Sequence, residues 1–232
     1  PYDTELKAGD FDTVFNYAKG TGTGAADFIF LSGTHSIAPT TIYNWNVATR
    51  AVSLTSASGN KADTILDGGS ANAFLLFNST EAFSCTNLTL RNFLQDQNST
   101  TCLRIAQGTT VEISGNTFSG NRADHNTNAY LARGPAVIFE TANITTSITV
   151  SDNEFSNNTA SAASQVGRGG AIAFRDIAVD PTISGNTFTN NTAEGRGGAL
   201  YIQDGAGDYT ISDNIFTGNS VTDSDSKGGA IG

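Results

Sequence analysis

Apolar residues in this chain come in short runs that are bounded by Gly, Asn or Asp. The runs at 136–139, 147–150 and 199–202 combine β-branched and aromatic residues. Such residues favour β-strands, and runs of about four to six residues have the length of a strand. The Gly, Asn, Ser and Thr residues between the runs favour turns and are poor helix formers. We therefore expect an all-β protein built from short strands.

The short strands belong to a repeat with two alternating units. The first unit has an aliphatic residue, Asn, Phe and Asn in fixed order, and it occupies 113–121, 150–158, 183–191 and 211–219. The second unit is Gly-Gly-Ala followed by an aliphatic residue, with Pro135 in the second glycine position of its first copy. Strands that recur every ~30 residues without helices between them are typical of a parallel β-helix, a solenoid in which each coil buries its inward side chains against the coil below.

The first unit has structural roles in such a solenoid. Its Phe residues are expected to stack in the core beside a row of aliphatic residues. Its Asn residues suit the corners, because Asn tolerates the left-handed backbone conformation, and their amides can bond to the copy in the coil above. The Phe and the second Asn of each copy are Phe118 and Asn121, Phe155 and Asn158, Phe188 and Asn191, and Phe216 and Asn219; the aliphatic row is Ile113, Val150, Ile183 and Ile211.

The second unit is interpreted as a structural turn. Glycine permits a positive φ and a close approach of neighbouring coils, where a larger side chain would collide. The residues of its three regular copies are Gly169, Gly170 and Ala171, then Gly197, Gly198 and Ala199, then Gly228, Gly229 and Ala230.

Residues 1–60 are predicted to form an N-terminal cap with the first coil, and residues 61–232 the remaining coils of one continuous domain. Asp10 is a suitable N-cap for a short helix that ends at Gly20. The order of this helix, an Asp-led apolar strand and Ser-Gly-Thr resembles the opening segment of right-handed pectate-lyase-type β-helices, which implies a right-handed coil. Because the chain stops within a repeat unit, we expect it to be the N-terminal piece of a longer solenoid. The apolar face of the predicted helix comprises Phe11, Val14, Phe15 and Ala18.

Charge and cysteine content exclude some partners and leave one question open. With 12 basic and 22 acidic residues the net charge is −10. An acidic surface repels phosphate backbones, so no nucleic-acid partner is expected. Cys85 and Cys102 are too few for a disulfide scaffold and lack the spacing of a zinc site. A disulfide between them and a pair of buried free thiols both remain open.

Residues that could carry chemistry are few and scattered. Four carboxylates on neighbouring coils show no paired spacing, so they are interpreted as solvated loop residues rather than a catalytic pair. The two histidines are isolated from each other and from any nucleophile. We therefore expect no catalytic activity, no metal site and no cofactor. The carboxylates are Asp180, Asp204, Asp208 and Asp213, and the histidines are His35 and His125.

The alternation of Phe-x-x-Asn with Gly-Gly-Ala-(Ile/Leu) resembles the polymorphic outer membrane proteins of chlamydiae. Residues 113–232 carry the resemblance, and the upstream half shares only the architecture. It implies the passenger of an autotransporter, a bacterial cell-surface and outer-membrane adhesin that attaches to host cells through a host surface protein receptor. Further copies of the chain or sister family members are additional expected partners. The implied contact with the membrane is made only through a C-terminal barrel outside this chain.

The resemblance and the residues give different accounts of the Phe-x-x-Asn tetrapeptides. By the resemblance, the four tetrapeptides, Phe118 to Asn121, Phe155 to Asn158, Phe188 to Asn191 and Phe216 to Asn219, are the adhesion elements. By position, a Phe that recurs once per coil is a core residue, and outward loops are better candidates for receptor contacts. Two other function classes stay open: a β-helical carbohydrate-active enzyme, and a stalk that presents a distal binding domain. The candidate loops are 122–133, 159–168 and 221–227, together with the partly exposed segment 39–60 that contains Trp45.

Overall fold

The computed structural model describes residues 2–6, 10–21, 24–37, 43–70, 74–96, 101–125, 132–140, 143–162, 167–223 and 227–232. These residues form a parallel β-solenoid of about five turns with one short N-terminal helix. The predicted all-β class, the parallel solenoid and the short helix are thereby confirmed. The right-handed sense of the coil and the division at residue 60 stay predictions.

The secondary structure consists of short strands, as the apolar runs predict. The helix α1 spans Phe11–Thr21. The strands in chain order are β1 (Tyr2–Leu6), β2 (Ala26–Phe30), β3 (Gly33–Ser36), β4 (Tyr43–Trp45), β5 (Val52–Ser56), β6 (Thr64–Asp67), β7 (Leu75–Asn78), β8 (Phe83–Thr86), β9 (Thr89–Arg91), β10 (Leu94–Asp96), β11 (Leu103–Ser114), β12 (Thr117–Ser119), β13 (Arg122–His125), β14 (Val137–Glu140), β15 (Ile144–Ser151), β16 (Glu154–Ser156), β17 (Thr159–Ala162), β18 (Ile172–Arg175), β19 (Thr182–Ser184), β20 (Thr187–Thr189), β21 (Thr192–Ala193), β22 (Leu200–Gln203), β23 (Thr210–Ser212), β24 (Ile215–Thr217) and β25 (Ser220–Val221).

The strands pair in parallel along four faces of the solenoid. Face A contains β1, β2, β5, β8, the second half of β11, β15, β19 and β23, and face B contains β3, β6, β9, β12, β16, β20 and β24. Face C contains β4, β7, the first half of β11, β14, β18 and β22, and face D contains β10, β13, β17, β21 and β25. The long strand β11 belongs to faces A and C and joins them into one sheet of 13 strands.

Rows of inward side chains fill the core, among them one long row from each of faces A, B and C. Faces A and C each have a second buried row, which includes Phe83 and Val111 in face A and Leu75 and Leu103 in face C. Each row follows the strand register, so one residue per coil stands over its counterpart in the next coil. Most row members are buried, while Phe216 and Ile202 are half-buried and Ile211 is exposed. The long rows are Phe28, Leu54, Cys85, Ile113, Val150, Ile183 and Ile211 in face A; His35, Leu66, Leu90, Phe118, Phe155, Phe188 and Phe216 in face B; and Trp45, Phe77, Ile105, Phe139, Phe174 and Ile202 in face C.

Helix α1 covers the N-terminal end of this core. Its Phe11 and Phe15 are buried, and their rings lie 4.7 Å and 5.0 Å from the ring of Tyr43, measured between centroids. The helix continues one residue past Gly20 to Thr21. Nothing in the sequence pattern predicts β1, which pairs with β2 and extends face A ahead of the helix.

Trp45 is buried, while other residues of its segment, among them Asn46, Ala48 and Thr49, are exposed, in agreement with the expectation of a partly exposed segment. It is 0% exposed and stands in the face C row opposite Phe77. Its Nε1 donates a hydrogen bond to the carbonyl oxygen of Arg50 at 3.2 Å, and the Arg50 guanidinium lies 5.2 Å from the centre of the ring. The only Trp of the chain therefore belongs to the core of the cap.

Candidate functional site

The phenylalanines of the Phe-x-x-Asn motif form a continuous stack in face B. The ring centroids of Phe118 and Phe155 are 5.0 Å apart, those of Phe155 and Phe188 4.8 Å, and those of Phe188 and Phe216 4.8 Å. The planes are nearly parallel, with angles of 5°, 9° and 2°. The first three rings are fully buried and Phe216 is half-buried. A partner protein can reach a buried ring only if its coil opens.

Two ladders of asparagine amides run beside this stack. In one ladder Asn121 Nδ2 donates to Asn158 Oδ1 at 3.0 Å, and Asn158 Nδ2 donates to Asn191 Oδ1 at 2.9 Å. Each Oδ1 also accepts the backbone N–H of the equivalent residue in the preceding coil, as Asn158 Oδ1 does from Asn121 at 3.0 Å and Asn121 Oδ1 does from Phe93 at 3.0 Å. Because a buried amide must find partners for its donors and acceptors, these ladders lock the coils in register. The second ladder is Asn116, Asn153, Asn186 and Asn214, and the first ends at Asn219.

The left-handed conformation belongs to the residue before each ladder asparagine, which corrects the expectation that the ladder asparagines adopt it. All these positions are Gly, Asn or Asp, the residues that tolerate a positive φ. Where a glycine in one coil stands next to a larger residue at the same position of the adjacent coil, the glycine leaves room for that larger side chain. A Cβ on Gly185, for example, would lie 2.5 Å from Asp152 Oδ1. The positions are Gly115, Asp152, Gly185 and Asp213, then Gly120, Asn157, Asn190 and Gly218, with φ between 54° and 66°; Asn87 and Asn92 occupy the same places one coil earlier, before Leu88 and Phe93.

The Gly-Gly-Ala units form tight turns for two separate reasons. The first glycine of each regular copy has a positive φ, and a Cβ on the second glycine of the first two regular copies would collide with the next coil, whereas a Cβ on Gly229 would meet open space. On Gly170 that Cβ would lie 2.0 Å from the carbonyl oxygen of Gly198, and on Gly198 it would lie 2.1 Å from that of Gly229. Ala171 and Ala199 are fully buried, and Ala230 is half-buried. The φ values are 66° for Gly169, 59° for Gly197 and 70° for Gly228.

A shallow groove of about 490 Å³ crosses the outer surface of face A. Nothing in the sequence pattern predicts it, because its lining comes from five strands that are distant in sequence. Outward-facing hydroxyl groups and two carboxylates line much of it, and Asp27 accepts a hydrogen bond from Ser53 Oγ at 2.5 Å. The lining residues are Asp27, Ala51, Val52, Ser53, Ala82, Phe83, Ser84, Thr110, Val111, Glu112, Ser147 and Thr149.

The two carboxylates of the groove are far apart. Asp27 pairs with Ser53, Ser53 with Ser84, and Ser84 with Glu112, so three strand spacings separate Asp27 from Glu112. Adjacent strands lie about 4.8 Å apart, which puts the two residues roughly 14 Å from each other. Glycoside hydrolases need two carboxylates at about 5–9.5 Å, so this pair does not meet their geometry.

The scattered acidic and histidine candidates do not assemble into a site. Asp180 Oδ1 accepts the backbone N–H of Asp208 at 2.8 Å, while Asp204 and Asp213 occupy separate turns with positive φ. Within the described ranges no three His, Cys, Asp or Glu side chains are placed to hold a metal ion. The buried His35 bonds through Nε2 to the carbonyl oxygen of Leu31 at 2.8 Å; the side chain of His125 lies outside the described residues.

Cys85 and Cys102 are buried free thiols. Of the two alternatives left open by the sequence, the structure therefore has the pair of buried thiols and not the disulfide. Cys85 replaces an aliphatic residue in the face A row, between Leu54 and Ile113. Burial raises the pKa of both thiols, and the nearby Cys85 raises that of Cys102 further. Both residues pack as small apolar side chains at neutral pH.

The outward loops proposed as receptor contacts lie only partly within the described chain. Residues 39–42, 126–131, 163–166 and 224–226 fall outside it. In the part that the structure describes, no helix has the length and apolar character needed to cross a membrane.

Comparison with known proteins gives one match. Residues 187–203 match the family model described as the Chlamydia polymorphic membrane protein (Chlamydia_PMP) repeat. No curated protein and no solved structure matches the chain. The matched segment runs from β20 to β22 and contains Phe188, Asn191 and the Gly-Gly-Ala turn at 197–199. The chain thus carries a repeat of a family of surface or outer-membrane proteins, which supports its resemblance to the chlamydial polymorphic membrane proteins.

Proposed function

We propose that this chain belongs to the secreted passenger of an autotransporter adhesin, and that it attaches to host cells through a host surface protein receptor. The observation that carries the proposal is the polymorphic membrane protein repeat at 187–203, set in a solenoid whose neighbouring coils contain the same two units. A parallel solenoid offers long and rigid lateral faces, which suit the binding of extended partner surfaces.

The Phe-x-x-Asn motifs contribute to attachment indirectly in this proposal. Phe188 and Asn191 are both buried, and each contacts its counterpart in the neighbouring coils. Thr187 and Thr189, which flank the ring in the same strand, are partly exposed. The motif therefore holds the coils in register, while outward side chains and loops make the contacts with the receptor.

We also propose that the chain acts without catalysis. The roughly 14 Å between the groove carboxylates argues against glycoside hydrolysis, since neither the retaining nor the inverting mechanism operates at that separation. Asp180 and Asp208 are joined through a backbone N–H rather than through a shared proton or cation. This arrangement is that of a turn and not of an acid–base pair.

A cell-binding assay tests the proposal. The purified 232-residue chain, labelled with a fluorophore, is incubated with cultured epithelial cells, and bound label is measured by flow cytometry. We expect saturable binding that unlabelled chain displaces. Treatment of the cells with protease should abolish it, because the receptor is a protein. Absence of saturable binding would contradict the proposal, and absence of any binding would favour a stalk that presents a distal domain.

Two variants separate the motif's structural role from direct contact. Phe188→Ala removes a buried ring, and the matched variant Thr187→Ala changes an outward side chain of the same strand. At a temperature at which circular dichroism shows Phe188→Ala still folded, we expect it to bind as the wild type does. Loss of binding by the folded Phe188→Ala variant would instead assign the receptor contact to the motif itself.

A further inference from the structure

A basic residue stands before the glycine turn in four successive coils. These residues are Arg133, Arg168, Arg196 and Lys227, and consecutive members pair as parallel bridges. Because neighbouring strands lie about 4.8 Å apart, four like charges stand in one column. Like charges directly opposite each other destabilise a sheet. The arrangement is unexpected in a chain whose net charge is −10.

Arg133 is the most deeply buried member of the column. Its residue surface is 4% exposed, and its Nε and Nη1 atoms have no hydrogen-bond partner among the described residues. Burial lowers the pKa of Arg133 and the nearby Arg168 and Arg175 lower it further, while Glu140 and Tyr201 partly oppose this change. A guanidinium nevertheless stays protonated in proteins, and burying it without a counter-charge is strongly unfavourable.

The nearby acidic side chains already pair with other cations. Glu140 lies 2.6 Å from Arg104 Nη2 and 3.8 Å from Arg175 Nη1. The carboxylate of Asp176 lies 3.2 Å from Arg175 Nε. Three segments outside the described residues adjoin these residues in sequence, and none of them contains an Asp or Glu that could form an ion pair with Arg133. The segments are 126–131, 141–142 and 163–166.

Arg168 is the neighbour of Arg133 in the column. It is only partly buried, and its Nη1 donates to Gln203 Oε1 at 3.0 Å. Its Cζ lies 5.3 Å from the centre of the Tyr201 ring, a cation–π contact that fixes the plane of the guanidinium. Its Nε is buried and has no partner in the described chain. Two neighbouring guanidinium groups thus have unused donors.

We propose that Arg133 and Arg168 form a binding site for one compact oxyanion, a sulfate, phosphate or carboxylate group, held between adjacent coils. A guanidinium presents its donors in a planar fork that matches the oxygen spacing of such groups. The near-complete burial of Arg133 limits the ligand to a small group, either a free ion or the end of a flexible side chain. The bound anion neutralises the column where its charges are most buried. This site does not depend on the proposed adhesive function.

Sulfate is the first probe, used on the whole 232-residue chain. Thermal unfolding is followed in sodium sulfate and in sodium chloride at equal ionic strength, because sulfate also stabilises proteins non-specifically. We expect a saturable stabilisation, in which the unfolding equilibrium constant falls about a hundredfold at a sulfate concentration of 100 Kd. Isothermal titration calorimetry gives the Kd directly.

Variants locate the site. Arg133→Gln should raise the Kd for sulfate by about tenfold or more, because a hydrogen bond from a charged guanidinium contributes more to the binding free energy than one from a neutral amide. Arg168→Gln should weaken it as well, and it keeps the test valid if the first variant folds poorly. The matched control is Arg122→Gln, because Arg122 is exposed and pairs with Asp124 at 2.7 Å. It should bind sulfate as the wild type does.

Two further probes identify the source of the oxyanion. Acetate tests a free carboxylate, and a terminally blocked peptide with one Glu tests a carboxylate on a partner's side chain. Saturable binding of any probe that depends on Arg133 supports the site, and the probe that binds names the source. The proposal is overturned if none binds saturably, or if Arg133→Gln and Arg168→Gln bind as tightly as the wild type.

Discussion

Replacing Phe188 with Ala tests the central packing argument, that the motif ring stabilises the coil. Phe188 is fully buried between two parallel rings, each with its centroid 4.8 Å away. The substitution removes the whole ring and leaves the backbone of β20 unchanged. Its neighbours in the stack, Phe155 and Phe216, each lose one face contact.

The expected loss follows from this environment. Large-to-small substitution of a buried Phe lowers the free energy of unfolding by about 3–5 kcal/mol, and the loss is larger where the cavity cannot collapse. Collapse is hindered here because Asn191 bonds to the next coil through Asn219 Oδ1 at 2.9 Å and holds the coil spacing. Stacked aromatic pairs also contribute about 0.5–1.5 kcal/mol each beyond burial. We therefore expect a loss of about 4–5 kcal/mol, a large part of the stability of an ordinary domain.

Urea denaturation measures this loss with two probes. Far-UV circular dichroism reports on all coils, and the fluorescence of Trp45, the only Trp, reports on the N-terminal cap. Thr187→Ala is the matched control and should change the free energy of unfolding by no more than about 0.5 kcal/mol, because it alters a partly exposed side chain. A loss below about 1.5 kcal/mol for Phe188→Ala would refute the close packing of the stack.

Three other predictions follow from the turns, the charges and the thiols. Gly169→Ala should prevent a stable coil, because a Cβ there would lie 2.2 Å from a backbone oxygen. The control Gly59→Ala has a similar φ of 69° but open space around the Cβ, so its free energy of unfolding in urea denaturation should fall by only about 1–2 kcal/mol. Equal losses for the two variants would contradict the clash. Burial opposes ionisation of Asp67, but hydrogen bonds from a backbone N–H, a guanidinium and an amide lower its pKa overall. The ionised Asp67 should stabilise the fold above the pKa of about 3.9 that the residue has in the unfolded chain, and this stabilisation should be lost as the pH falls through its lower pKa in the folded chain. The free energy of unfolding of Asp67→Asn should therefore fall less than that of the wild type between pH 5 and pH 2. Burial raises the pKa of Cys85 and Cys102, so a thiol reagent such as DTNB should react with them at pH 7 only after unfolding in urea, and rapid reaction of the native chain would contradict their burial.

Much of the fold could be predicted from the repeat because a solenoid gives each motif position the same surroundings in every coil. Phe188 and Ile183 recur at equivalent places, and both are fully buried in the rows predicted for them. The helix face at Phe11 and Phe15 also follows directly from local spacing. In these cases the sequence pattern and the packing environment have the same period.

Features without a period escaped prediction. Trp45 belongs to no visible repeat, and only the register of face C brings it onto Phe77 in the core. The strand β1 has no motif and is recognisable only by its pairing with β2. Arg133 looks in sequence like one more charged turn residue. Its lack of a described partner becomes visible only when Glu140 is found paired with Arg104.

The sequence by itself determined the coil, the stacking residues and the turns. The turns require glycine or asparagine at fixed positions and the core requires one apolar residue per coil, and both patterns are visible in the order of residues. Only the tertiary structure decided which ladder asparagines are buried, that the cysteines are free thiols in a hydrophobic row, and that two arginines have unused donors. These properties depend on which side chains from neighbouring coils occupy the space around a group. Distances between coils of roughly 4.8 Å, rather than separation along the chain, set that environment.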